Sequence, residues 1–174
     1  MSEVHVRVLR DDDDRSAFES GDADLDRFFR KYAGQNQFRH HIGVTYVADD
    51  GSSIVGFVTL TAGDIEIERL PERSRKKLPA YPLPILRIAR LASSRQARSL
   101  GVGRLLLRFS LEMALDMAGQ LGCVGVVVDA KEEAVAFYER YGFEPFEVLQ
   151  GGSDARPAPV AMFLPLGSIP ERPA

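Results

Sequence analysis

The sequence predicts a mixed α/β domain with the element order β-α-β-β-β-α-β-α-β-β. Three observations carry that prediction. Short runs of alternating or wholly apolar residues have the lengths and flanking turns of strands. Longer segments repeat their apolar residues at helical spacing. In the middle of the chain, a strand, a glycine loop, a helix and a second strand follow one another as a right-handed crossover would.

The elements read as follows. "HVRVL" (5–9) alternates as a short strand, and "DDDDRSAFES" is turn-like or briefly helical. In "DADLDRFFRKYAGQNQ" (22–37), Leu25, Phe28, Phe29 and Tyr32 fall on one helical face, with Asp22 or Asp24 as N-cap and Arg27, Arg30 and Lys31 opposite. "IGVTYVA" (42–48) and "IVGFVTLTA" (54–62) are strands joined by the turn "DDGSS", a hairpin. The proline-rich "IEIERLPERSRKKLPAYPLP" reads as a surface connection with a short helix over 72–77. "PILRIARLAS" (84–93) is a strand and "GRLLLRFSLEMALDMAGQLG" (103–122) a long amphipathic helix. "CVGVVVDA" (123–130) is apolar enough for a strand covered on both faces. "KEEAVAFYERYG" (131–142) is a helix stopped by Gly142. "FEPFEVL" (143–149) and "PVAMFLPL" (159–166) are the last strands, separated by the mobile-looking "QGGSDARPA".

A chain of 174 residues suits one domain spanning 1–174. Its 45% hydrophobic and 27% charged content is ordinary for a soluble globular protein, so neither disorder nor a membrane partner is expected. No apolar run reaches the roughly 18–20 residues that span a bilayer. "MSEVHVRVLRDDDD" lacks the apolar core of a signal peptide, and Cys123 is the single cysteine, so the expected location is cytoplasmic. No metal is expected. A net charge of −3 and a pI of about 5.7 argue against a dedicated nucleic-acid binder. Basic residues nevertheless cluster: Arg27, Arg30 and Lys31, then Arg73, Arg75, Lys76 and Lys77, then Arg87, Arg90, Arg95, Arg98 and Arg104. Each cluster is either a local basic face or a set of solvated charges.

The stretch "RSLGVGRLLLRF" (98–109) places two glycines before the most apolar helical pattern. Backbone N–H groups at a helix start have no intrahelical partner, and the helix dipole adds partial positive charge. With Arg98 and Arg104 beside them, they form a ready anion site. The stretch is not a P-loop, which needs G-x-x-x-x-G-K-[ST]. Nor is it a dinucleotide fingerprint, because Leu106 occupies the third glycine position. On the loop alone, a phosphate cradle and a plain tight turn both remain open.

Two spaced motifs change that. Arg98, Gly101 and Gly103 match [QR]-x-x-G-x-[GA], and Phe137, Tyr138, Gly142 and Phe143 match F-Y-x-x-x-G-F. Together they resemble the GNAT acyl-CoA N-acyltransferase family over roughly residues 4–166. The resemblance implies the GNAT fold, a central and mostly antiparallel sheet flanked by helices, in which the fourth and fifth strands splay apart. It implies acetyl-CoA as co-substrate, its pyrophosphate held by Arg98, Ser99, Leu100, Gly101, Val102, Gly103 and Arg104. Its pantetheine arm would pair with Leu91, Ala92 and Ser93, with Phe137 beside it. It also implies Tyr138 as general acid to the leaving CoA thiolate and a backbone N–H near Leu91 as the oxyanion donor. No general base is evident. His5, His40 and His41 lie outside the motifs, and Asp64, Glu66 and Glu68 are weak candidates for a relay.

The N-terminal half narrows the resemblance. Phe18, Ser20, Gly21, Leu25, Asp26, Phe28, Phe29, Ala33, Asn36 and Gln37 resemble a pattern of GNAT toxins from bacterial toxin–antitoxin pairs. Pro82, Pro84, Arg90, Leu91 and Ala92 resemble a second. Ser20 stands where that subgroup often has cysteine. The likeness implies acetylation of the α-amine of aminoacyl-tRNA, a block on translation, and a ribbon-helix-helix antitoxin as partner. It assigns tRNA contacts to Arg27, Arg30, Lys31, Arg75, Lys76, Lys77, Arg87 and Arg90. The alternatives are a GNAT enzyme for a small amine, an antibiotic or a protein N-terminus, and a non-catalytic acetyl-CoA- or RNA-binding module. The basic stretch and the C-terminal strands each offer a surface for a homodimer.

Overall fold

The computed structural model describes residues 3–146 and 159–170. Its elements are β1 (His5–Val8), α1 (Ala23–Arg27), β2 (Val44–Asp49), β3 (Ile54–Ile65), α2 (Glu72–Arg75), β4 (Leu83–Ser93) and α3 (Val102–Gln120). They continue with β5 (Gly125–Ala130), α4 (Val135–Arg140), β6 (Glu144–Pro145) and β7 (Val160–Pro165). The strand order is β1-β2-β3-β4-β5-β7-β6. The chain divides into two compact units, Met1–Thr61 with Ile88–Ser110, and Ala62–Arg87 with Leu111–Ala174.

In the first unit, β1 pairs antiparallel with β2, and β2 with β3. The β2–β3 turn is the hairpin the sequence predicts. Asp49 accepts the Gly51 N–H at 2.8 Å, and Asp50 accepts those of Ser52 and Ser53 at 2.8 and 2.7 Å. The core is aromatic: Phe29 stacks on Phe57 at 4.4 Å, and Phe18 meets both rings edge-on. Leu9, Phe28, Ala33, Val47 and Ala92 complete it. Asp22 is the N-cap, its carboxylate accepting the N–H groups of Asp24 and Leu25.

The helix expected over 22–37 changes character within two turns. α1 passes into π-helical turns over Phe28–Tyr32 and Gln35–Arg39. The Ala33 N–H reaches back to the Phe28 carbonyl, one residue further than in an α-helix. That extra residue rotates everything downstream. Phe28 and Phe29 are buried as the periodicity requires, whereas Tyr32 turns outward at 47% exposure and Ala33 takes its place inside. The assignment of Tyr32 to the apolar face is thus corrected.

In the second unit, β5 pairs antiparallel with β7 from Gly125↔Pro165 to Ala130↔Val160, and β6 pairs with β7. Val126, Val127, Val128 and Ala130 are all buried, the doubly covered strand the apolar run predicts. The surface connection read after residue 62 is partly wrong. Alternation continues through Gly63–Ile67, β3 extends to Ile65, and Ile65, Ile67 and Leu70 join Leu83, Ile85, Val127 and Phe163 in the core. β6 is only two residues long. The rest of that predicted strand, 147–149, and the segment 150–158 lie outside the described residues.

Candidate active site

The anion loop belongs to the first unit. β4 ends at Leu91, Ala92 and Ser93, and the Ser94 N–H then donates to the Val55 carbonyl at 2.8 Å, fixing where the chain leaves the sheet. A 3-10 turn, Arg95–Leu100, leads to Gly101, whose φ of 71° is left-handed, and α3 begins at once. The Leu105 N–H donates to the Gly101 carbonyl at 3.0 Å. The amides of Val102, Gly103 and Arg104 therefore precede the helical ladder and are available to an anion. Arg98, Ser99, Leu100, Gly101 and Arg104 are exposed. A Cβ built on Gly101 would meet nothing within 4 Å, so the loop is open on the side of that glycine. The loop fits a phosphate in charge, donors and room.

What holds the helix start is a residue the motif does not contain. Gly56 of β3 lies under it: a Cβ there would sit 2.5 Å from Val102 Cγ1, 3.0 Å from Leu106 Cδ1 and 3.1 Å from the Ala92 carbonyl oxygen. Val102, Leu106, Leu107 and Ser110 are buried. A lone glycine inside a strand is a sign of close backbone or helix approach, and that signal was present in the sequence.

Tyr138 belongs to the second unit and is 4% exposed. Its ring packs edge-on against Phe137 at 5.1 Å and Phe143 at 5.3 Å. The F-Y-x-x-x-G-F spacing has a direct structural cause. The Phe143 N–H donates to the Tyr138 carbonyl at 3.2 Å and the Gly142 N–H to that of Glu139 at 3.0 Å. This is a Schellman cap, which requires the φ of 94° found at Gly142 and brings Phe143 back onto Tyr138. Burial pushes the Tyr138 phenol well above the usual tyrosine range. It is protonated at neutral pH and so has a proton to donate.

The basic residues separate by unit and by engagement. In the first unit, Arg27 pairs with Asp24 at 3.1 Å, Arg30 donates to the Phe18 carbonyl, and Lys31 is exposed. Arg90 lies over the Phe28 ring at 3.8 Å. In the second, Arg75, Lys76 and Lys77 are exposed, and Arg87 pairs with Asp129 at 3.2 Å. His5, His40, His41, Asp64, Glu66 and Glu68 are all exposed. Among the described residues, no group of three His, Cys, Asp or Glu side chains is placed to hold a metal. No helix among them is long and apolar enough to cross a membrane.

A profile of the acetyltransferase (GNAT) domain matches residues 41–145, more than half of the chain. The chain belongs to the GNAT acetyltransferase family. It is an N-acetyltransferase, and acetyl-CoA is its co-substrate. Over 139 residues it is 33% identical to a tRNA-acetylating toxin of Mycobacterium tuberculosis, covering 79% of this chain and 82% of that one. It is 29% identical to a probable toxin, TacT, of Sinorhizobium fredii over 166 residues, covering 90% and 87%. Among solved structures, AtaT complexed with acetyl-methionyl-tRNAfMet matches with a TM-score of 0.83 and 26% identity over 96% of this chain and 97% of that one. AtaTR bound with acetyl-CoA matches at 0.78 and 26%, covering 95% of each.

Proposed function

We propose that this GNAT enzyme is a toxin that acetylates the α-amine of an amino acid esterified to tRNA, which removes the nucleophile of peptide-bond formation and stops translation. The observation that carries the reading is the kinship with the mycobacterial tRNA-acetylating toxin over most of both chains. The chemistry agrees. The histidines and carboxylates considered as bases are all exposed. Where no side chain takes the proton, the acceptor must already be partly neutral. A lysine amine near pKa 10.4 is almost wholly protonated at neutral pH, whereas an α-amine near 7.7–8.0 is partly free. Esterification of the neighbouring carboxyl lowers that value further.

In this mechanism the loop Arg98–Arg104 holds the pyrophosphate through the amides ahead of α3, and Leu91–Ser93 align the pantetheine arm. The acceptor nitrogen attacks the thioester carbonyl carbon. The oxyanion forms against a backbone N–H at or beside Leu91. The carbon–sulfur bond breaks, the sulfur takes the Tyr138 proton, the acceptor nitrogen loses its extra proton to water, and Tyr138 regains a proton from solvent before the next turnover. The exposed cations Lys31, Arg75, Lys76, Lys77 and Arg90, with Arg27, Arg30 and Arg87, contact tRNA phosphates. The enzyme works in the cytoplasm, where charged tRNA is found, and a small ribbon-helix-helix antitoxin restrains it.

The test is direct. Purified protein with acetyl-CoA and a panel of aminoacyl-tRNAs should yield N-acetyl-aminoacyl-tRNA, and its expression should arrest growth. Acetylation of free amines or peptide N-termini with charged tRNA left untouched would refute the proposal.

A further inference from the structure

The segment Phe18–Asp26 carries the most distinctive N-terminal pattern in the chain, and nothing so far gives it a task. Its structure is a closed loop. Asp26 is buried, and its Oδ1 accepts both the N–H of Ser20 at 2.9 Å and its hydroxyl at 2.7 Å. The Asp22 N–H donates to Ser20 Oγ at 3.1 Å. Bonds of this kind to a buried carboxylate fix the loop firmly. Outward, the loop presents two carbonyls to the 3-10 turn that precedes Gly101. The Glu19 carbonyl accepts the Arg95 N–H at 2.9 Å, and the Ser20 carbonyl accepts a guanidinium N–H of Arg98.

Gly21 lies beneath both arginines. A Cβ on it would sit 2.9 Å from Arg98 Nη2 and 3.0 Å from Arg95 Nε, and its φ of 98° already disfavours any other residue. Two guanidinium groups are thus brought to one small loop. No carboxylate pairs with either among the described residues. Each offers five donors, of which the Ser20 carbonyl occupies one on Arg98. Side-by-side cations without a carboxylate call for an anion with several acceptor oxygens.

We propose that the Ser20–Gly21 loop is a positioning element that holds Arg95 and Arg98 together as a phosphate clamp. Arg95 then binds the phosphates of acetyl-CoA alongside Arg98. The inference rests on assigning the Arg98–Arg104 loop to the acetyl-CoA pyrophosphate.

The test measures calorimetric Kd values for acetyl-CoA and for S-acetylpantetheine, which has no phosphate. Arg95→Ala and Arg98→Ala should each weaken acetyl-CoA by about tenfold or more, the loss of a charge-assisted contact, and leave S-acetylpantetheine unchanged. Gly21→Ala should do the same while adding nothing in the Arg95→Ala/Arg98→Ala background. Asp26→Ala should behave like Gly21→Ala, and Asp26→Asn, which keeps an acceptor oxygen for Ser20, should restore binding. Should Gly21→Ala not fold, Ser20→Ala reports the same loosening. The proposal is overturned if Arg95→Ala binds acetyl-CoA normally, if Gly21→Ala weakens the phosphate-free thioester equally, or if its effect adds to those of the arginine variants. Unchanged acetyl-CoA binding in both Gly101→Asp and Arg98→Ala would instead bring down the pyrophosphate assignment itself, and the clamp with it.

Discussion

One methyl group at Gly56, a residue outside the glycine loop, should weaken acetyl-CoA binding. In Gly56→Ala the new Cβ would sit 2.5 Å from Val102 Cγ1, and ordinary contact begins at 3.4 Å. Val102 must therefore retreat by 3.4 − 2.5 = 0.9 Å. The sheet side cannot absorb the shift, because the Ala92 carbonyl oxygen lies 3.1 Å from the same position. Val102 is the first residue of α3, so the displacement moves the amides that face the anion. Overpacking of this kind costs about 1–3 kcal/mol, which for a chain of this size lowers Tm by roughly 3–10 °C. Losing one well-aligned hydrogen bond to phosphate weakens binding by about tenfold. Differential scanning calorimetry and acetyl-CoA titration read the two effects. Val102→Ala removes Cγ1, the nearest of the contacts, and should recover part of the acetyl-CoA affinity in the Gly56→Ala background. A Gly56→Ala protein with wild-type Tm and Kd, or one that Val102→Ala does not rescue, would refute the account of how the helix start is held.

Tyr138→Phe should lower kcat by about 10²–10⁴-fold with acetyl-CoA affinity nearly unchanged, and its expression should no longer arrest growth; unchanged turnover would remove Tyr138 from the proton transfer. Gly142→Ala forces a left-handed residue that costs about 1–2 kcal/mol, so Tm and kcat should fall together. Gly142→Asn should fall less, because asparagine tolerates that region, and equal losses would argue against the cap. The hydrogen bond from Arg7 holds the Asp13 carboxyl below its ordinary value of 3.8. A depressed folded pKa stabilises the fold above the unfolded value and loses that contribution as pH falls through the folded one. Asp13→Asn should therefore cost about 1–2 kcal/mol at pH 7, a difference that urea melts should show disappearing below pH 3.8.

The sequence made the fold legible wherever a local rule decided the structure. The DDGSS hairpin, the Asp22 cap, the apolar β5 and the glycine stop after α4 each depend on a few neighbouring residues. Tyr32 failed because the helical count assumes a constant period, and the π-helical turns break it. Ile65 and Ile67 were missed because Pro71, Pro79 and Pro82 made the whole segment look like a connection, although its first residues still alternate. In the candidate site, the loop and Tyr138 were readable as motifs. Gly56, as a lone glycine inside a strand, and Ser20–Gly21, as part of an N-terminal pattern, stand out in the sequence, but their partners do not, because those lie far along the chain: Val102 for Gly56, Arg95 and Arg98 for Gly21. No periodicity or motif spacing encodes such a contact.

The charge of −3 loses its weight as an argument against an anionic partner once the charges are placed. Two of the four acids at 11–14 are engaged by their neighbours. Asp13 is bound to Arg7 at 2.8 Å and to the Arg10 N–H at 2.7 Å, and Asp14 to Ser16. The Arg7 ion pairs are half-buried and structural, whereas those of Arg27, Arg73 and Arg87 involve exposed partners. Exposed pairs of that kind are worth only about 0–1 kcal/mol, less than a charge-assisted bond to a phosphate. A nucleic-acid backbone can displace them, whereas it gains nothing by disrupting Arg7. Arg30 and Arg98 already donate to backbone carbonyls, which fixes one side of each guanidinium and leaves donors on the other. The cations assigned to ligands are thus those whose present partners are weak or neutral, and that distribution, rather than the sum of charges, decides what the surface attracts.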